Sequence, residues 1–210
     1  TARGRAWHEL LREADRAHAS LVAVGSHGRG QVLGALLGST ATAIIHLAPC
    51  SVLVARAATP AFPSAIVVGA DGSSQSLAAT EVALALAKRH GARVRALAAT
   101  GDDPVDADGL VEIGHRLDAA AKDNPMAPHD MTSLLRWSRE APIEALLDAS
   151  ANADLLVVGS RGLRGLAVLG SVSRRIAHRA HCSVLIVRET DGGHGEFEAP
   201  TADPDDDARR

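Results

Sequence analysis

Two short runs hold the residues best suited to chemistry in this sequence, Gly25-Ser26-His27-Gly28 and Gly159-Ser160-Arg161-Gly162. Each follows an apolar run and precedes a Gly-Ser pair, Gly38-Ser39 and Gly170-Ser171, that opens a helical pattern. Glycine permits positive φ and lets backbone N–H groups approach an oxyanion. The first turn of a helix adds free N–H groups and the positive end of its dipole, and a serine hydroxyl is one more donor. Together these bind a phosphate group; they do not by themselves cleave it. A tight strand-to-helix turn is the competing reading of any single Gly-x-x-Gly, and recurrence at matched positions strengthens the phosphate reading without removing the other.

Other chemistries fit less well. Neither loop has the Lys of a Walker phosphate site. The first-strand turn, Gly69-Ala70-Asp71-Gly72, is not a dinucleotide fingerprint, and a phosphotransferase Asp-x-Asp-Gly would need its nucleophile where Gly69 stands. Ser26 adjoins His27, but neighbours in sequence rarely align for hydrolysis, and no Gly-x-Ser-x-Gly elbow surrounds them. His178, His181 and Cys182 have one-turn spacing, yet Cys182 opens an apolar strand and its counterpart Cys50 follows Pro49, so core packing explains them better than a metal. No catalytic or metal-binding residue is assigned.

The elements that position the two loops are themselves repeated. Ala17–Gly28 matches Ala151–Gly162, with Gly25 and Gly159 lying 134 positions apart, whereas Cys50 and Cys182 lie 132 apart. The two-residue difference therefore falls inside the glycine loop, where length changes are tolerated. Leu21–Val24, Val52–Ala55, Leu155–Val158 and Val184–Val187 read as buried strands. Arg5–Ala17, Ser39–Leu47, Pro142–Ala151 and Ser171–Arg179 read as helices, the two after the loops started by serine caps. Only the second copy has a front half: strand Ala65–Gly69, helix Ser76–His90, strand Ala92–Ala98, helix Leu110–Lys122 and a third strand Met131–Trp137. Strands alternating with helices imply an α/β, doubly wound, five-stranded parallel sheet.

The expected organisation is the back half of one domain (1–57), a Pro-containing linker (58–64), a complete domain (65–189) and a disordered acidic tail (190–210) containing Asp205-Asp206-Asp207. Two bare strands would leave an unpaired edge and an apolar face. Val52–Ala55 is therefore expected to lie beside Val184–Val187 about a pseudo-two-fold axis, and a longer native N-terminus is expected. A net charge of −3 without a basic block, and 2% aromatics, argue against nucleic-acid binding. Two cysteines suit a reducing, cytoplasmic setting. The uncharged stretch from Val32 to Ala55 is broken by Gly38 and Pro49, which argues against a membrane span.

Gly25-x-x-Gly28, nine residues, Gly38-Ser39 resembles in full the glycine motif of the universal stress protein (UspA-like) family, and Gly159-x-x-Gly162 to Gly170-Ser171 resembles it with seven residues between. Val67-Val68-Gly69-Ala70-Asp71-Gly72-Ser73 is similar to the family's first strand and its Asp. The resemblance implies a tandem chain of adenine nucleotide alpha-hydrolase-like fold, with an N-terminally truncated first domain. It also implies a stress-response module binding an adenine nucleotide, ATP first, with Mg2+. Gly69, Ala70, Asp71 and Val158 would flank adenosine, and Gly159, Arg161, Gly162, Gly170, Ser171 and Ser173 the phosphates. Gly25, His27, Gly28, Gly38 and Ser39 would form the matching loop of the first copy. Pairing through the last strands, between copies or within the chain, is also implied. Turnover is not expected, slow ATP hydrolysis being a weaker reading. The alternative is a nucleotide-free interaction module with vestigial loops.

Overall fold

A computed structural model describes residues 5–26, 37–56, 62–99, 101, 105–122, 135–160 and 169–188. The first copy supplies α1 (Ala6–Arg16), β1 (Leu21–Gly25), α2 (Ser39–Leu47) and β2 (Ser51–Ala55). The second supplies β3 (Ala65–Ala70), α3 (Ser74–His90), β4 (Arg93–Ala99), α4 (Ala107–Lys122), β5 (Leu135–Ser138), α5 (Pro142–Ser150), β6 (Leu155–Gly159), α6 (Ser171–Arg179) and β7 (Ser183–Val187). All expected elements are present. Most limits agree within two residues, and two differ by more: α4 starts earlier, because the Asp106 carboxylate accepts the N–H groups of Asp108 and Gly109 and caps it. The third strand of the second copy begins at Leu135 among the described residues, and 131–134 fall outside them.

The strands form one seven-stranded sheet in the order β1-β2-β7-β6-β3-β4-β5. The expected five-stranded parallel sheet is the β7-to-β5 part, and the two strands of the first copy extend it. Every pairing is parallel except β2 with β7, where Val52 faces Ile186, Leu53 faces Leu185 and Val54 faces Val184. Leu53 and Leu185 are equivalent positions of the repeat, so a pseudo-two-fold axis passes through their pair. The strands expected to meet do meet, antiparallel, as that symmetry requires.

Helices cover the sheet in two layers. On one face α1, α2, α5 and α6 bury Leu11, Ile44, Ile45, Leu146 and Ile176 against Val52, Val54, Leu156, Val184 and Ile186. On the other, α3 and α4 bury Ala79, Ala83, Leu110, Ile113 and Leu117 against Ile66, Val68, Val94, Ala96 and Leu185. The alanine stripe of α3 lets that helix sit close to the strands. Where α3 stands, Leu155 is 3% exposed; its counterpart Leu21 on β1 is 45% exposed, because no described helix covers that face. Among the described residues no helix is long and apolar enough to cross a membrane.

The seam between β2 and β7 is reinforced reciprocally. Past the end of β2, Arg56 donates its backbone N–H to Ser183 Oγ (3.0 Å) and its guanidinium to the carbonyls of Ala177 (2.7 Å) and Cys182 (3.1 Å). Past the end of β7, its counterpart Arg188 donates its backbone N–H to Ser51 Oγ (3.1 Å) and its guanidinium to the carbonyls of Ile45 and Ala48. Each copy thus satisfies the orphan carbonyls at the C-terminus of the other copy's helix, where a cation also complements the dipole.

Arg56→Ala is expected to lower stability by about 1.5–3 kcal/mol, the range for hydrogen bonds made by charged groups, read from urea midpoints. A Cβ on Gly109 would lie 1.9 Å from the Gly72 carbonyl oxygen. Gly109→Ala is therefore expected to destabilise by about 1–3 kcal/mol despite the helix propensity it gains, because backbone cannot move aside as a flexible side chain does.

Candidate functional site

Chain order reverses at β3. From it the chain steps outward to β4 and β5, then returns to β6 and β7 on its other side. The crevice at such a switch, beyond the carboxyl ends of the strands, is where open α/β sheets take ligands. β3 and β6 pair there through Ile66–Leu155, Val67–Leu156 and Val68–Val157. Gly69, Ala70 and Asp71 therefore leave the sheet next to Val158, Gly159 and Ser160. The structure brings the expected Gly69, Ala70, Asp71, Val158 and Gly159 together, with Ser160, which was not among the expected residues, beside them. A Cβ on Gly69 would lie 3.2 Å from the Val158 side chain, a tight contact, and one on Gly159 would lie 2.8–2.9 Å from Gln75 on α3, partly against its backbone, so the end of β6 is packed to the limit of glycine.

The turn after β3 is fixed by hydrogen bonds. Asp71 Oδ1 accepts from the Ser73 N–H (3.0 Å) and from Ser73 Oγ (2.6 Å), and Ser73 Oγ in turn accepts from the Ser76 N–H as the cap of α3. The Asp71 carbonyl accepts from the Asp106 N–H (2.7 Å), and Gly72 takes φ +84° where a Cβ would strike the Asp106 carbonyl. The carboxylate is thus held in one orientation beside the crevice. Asp71-Gly72-Ser73-Ser74 reads in the sequence as a turn and helix cap, and Ser73 takes that place; buried Gln75, whose Oε1 accepts from Ser160 Oγ (3.3 Å), was not singled out.

On the β6 side the loop has a closed neck. The Ser160 N–H donates to the Val187 carbonyl (2.8 Å), and the Gly170 N–H returns to the Ser160 carbonyl (2.6 Å). The first copy closes identically, Ser26 N–H to Ala55 (2.9 Å) and Gly38 N–H to Ser26 (3.0 Å). Yet Gly38 is twelve residues after Ser26 and Gly170 only ten after Ser160. The length difference lies wholly inside the loops, whose residues His27, Gly28, Arg161 and Gly162 fall outside the described ones. Because β2 and β7 run antiparallel, Gly25, Gly38 and Ser39 lie at the opposite rim of the sheet from Gly159, Gly170 and Ser171.

Both post-loop helices begin alike, and here one expectation is corrected. Ser39 and Ser171 are not caps: Gly38 and Gly170 hold the extended cap conformation, and neither helix has a side-chain cap bond. The serines are the exposed first helical residues, so the opening N–H groups and the serine hydroxyl of α6 are presented together at the neck. Ser173 points elsewhere: buried, it donates Oγ to the Gly159 carbonyl (2.6 Å) and ties helix to strand end. In the first copy Ala41 occupies its place. Burial pushes the Cys182 thiol up to about 11, which leaves it protonated and a poor ligand at neutral pH. Among the described residues no group of three His, Cys, Asp or Glu is placed to hold a metal.

Comparison with known proteins agrees with this geometry. Residues 1–56 and 64–188 match the model of the universal stress protein family. A universal stress protein of Mycobacterium bovis is 32% identical over 189 residues, which cover 82% of this chain and 63% of that protein. One of Mycolicibacterium smegmatis is 33% identical over 186 residues, 81% of this chain and 62% of that protein. The chain thus spans less than two thirds of the length of these relatives. Among solved structures, a universal stress protein from Archaeoglobus fulgidus superposes with a TM-score of 0.65 at 20% identity, covering 87% of this chain and 66% of that one, which speaks to the fold alone. Matched over nearly its whole described sheet and by relatives at this identity, the chain belongs to the universal stress protein family.

Proposed function

We propose that this chain is a regulatory module of stress response that holds an adenine nucleotide, ATP first, at the carboxyl ends of β3 and β6. The observation that carries the reading is the start of α6: a helix N-terminus without a side-chain cap, fixed by a backbone neck beside the switch point. Gly69, Ala70, Asp71 and Val158 would flank adenosine, with Asp71 already oriented by Ser73. Gly159, Arg161, Gly162, Gly170 and Ser171 would surround the phosphates, with Ser173 acting through the Gly159 peptide rather than by direct contact. Mg2+ would arrive on the phosphates, keeping most of its waters, and would neutralise their charge. In this reading the module retains its nucleotide without efficient turnover, since the neck offers serine hydroxyls and amides and no general base is assigned there.

A second reading, a nucleotide-free interaction module, is favoured by the exposed face of β1, where Leu21 stands open. Under it the loops are turns, and association of chains through exposed strands is the function. In both readings the partner proteins follow from the sheet rather than from nucleic acid or membrane contacts.

Calorimetric titration of ATP, AMP and cyclic AMP into the purified chain separates the two. Saturable ATP binding is expected, and Ser171→Ala should weaken it by about tenfold or more, the worth of one hydrogen bond to a charged group, with the melting temperature unchanged. Absence of heat with all three nucleotides would leave the interaction reading.

A further inference from the structure

The α2–α6 contact lies over the seam and holds a cluster of ionisable groups that the nucleotide site does not use. His46 on α2 and His178 on α6 are equivalent positions of the repeat, and both rings are half-buried. Each adjoins the carbonyl that receives the other copy's arginine: Ile45 accepts from Arg188, and Ala177 accepts from Arg56. Besides burial, the charges acting on His46 are Arg174 and Arg188, and those on His178 are His46, Arg174 and Arg56. All are cationic. Glu144 and Asp148 of α5, the helix beside α6, are not among them. On α1, beside α2, Glu9 and Glu13 are engaged within their own helix by His8, Arg12 and Arg16.

We propose that this joint is an acid-sensitive device: proton uptake by His46 and His178 sets two further cations against Arg56, Arg174 and Arg188 and loosens α2 and α6 over the seam. Both rings are held below the ordinary histidine value, chiefly by burial and then by the neighbouring cations. The sign follows from linkage. The unfolded chain takes up protons at these positions as pH falls through about 6.5, while the folded chain resists them. Their contribution to stability is therefore complete above that value and is lost as pH falls through the lower folded values. The loosening is local, because the same arginines that repel the charged rings are the ones that clamp the seam.

The test is amide exchange, corrected for its intrinsic pH dependence, at about pH 7.5 and pH 5.5 on the full chain. Acid should speed exchange at Val52–Val54 several-fold relative to Val94 and Ala96 on β4, because rings that take up protons more readily in the open form favour that form as pH falls. The His46→Gln/His178→Gln double variant should lose this difference, and His115→Gln, on the exposed side of α4, should keep it. Equal acceleration on β2 and β4, or full retention in the double variant, would overturn the proposal. Should the double variant fail to fold, proton NMR of the wild-type imidazoles decides instead: titration of both rings below the ordinary histidine range supports the device, and ordinary titration of either rejects it.

Discussion

The antiparallel pairing of β2 with β7 is the constraint from which the rest of the architecture follows. Two parallel strands cannot by themselves bury two faces, and among the described residues the first copy contributes two. Joined edge to edge with the second copy, they gain one covered face and one completed edge. Val52 and Val54 are fully buried there, each worth about 1.5–3 kcal/mol by transfer out of water. The arginines beyond each strand then attach the helices of one copy to the strand end of the other. The seam is thus held by sheet bonds, by apolar contact and by charge-assisted bonds acting across the same axis.

That symmetry also decides what the two loops can do. A parallel junction would have brought both glycine loops to one rim, where they could share a ligand. An antiparallel one sends the strand ends that lead into them to opposite rims. Among the described residues only the strand end of β6 has a neighbouring first strand, β3, and a helix, α3, standing over it. Gly159 is buried under Gln75, whereas its counterpart Gly25 is exposed. The chemical inequality of the two copies therefore arises from what surrounds each loop more than from the loop sequences.

Much of this was legible in the sequence where a local signal coincided with a tertiary requirement. The strands β1 and β6 are short branched runs ended by Gly, and α2 and α6 begin where Gly-Ser says they should, so their limits are found almost to the residue. The seam was legible because a two-stranded remnant needs a partner and the repeat names it. The roles of individual polar groups were not legible. Whether Ser171 caps its helix or opens it depends on the φ and ψ of Gly170, and whether Ser173 faces ligand or backbone depends on the placement of Gly159, which is set by packing against α3. Asp106 sits in an acidic stretch that looks like solvated loop, yet it caps α4 and closes on Asp71. β5 carries Arg136 and an exposed Trp137, so it has no continuous apolar run to fix its start.

The neck explains how one fold tolerates unequal loops. It is closed by main-chain bonds, Ser160 to Val187 and Gly170 to Ser160, repeated in the first copy with two more residues enclosed. Backbone bonds are indifferent to the side chains and length of what they enclose, so strand, helix and neck keep their geometry whatever the loop contains. Loop-closure entropy changes only slowly with length, and two residues alter it by a small fraction of a kcal/mol. Folding is therefore physically separable from the ligand capture proposed for this domain. Stability resides in the seam and the two helical layers, whereas in the nucleotide reading affinity would reside in a few donors presented at the neck, so either could change while the other is kept.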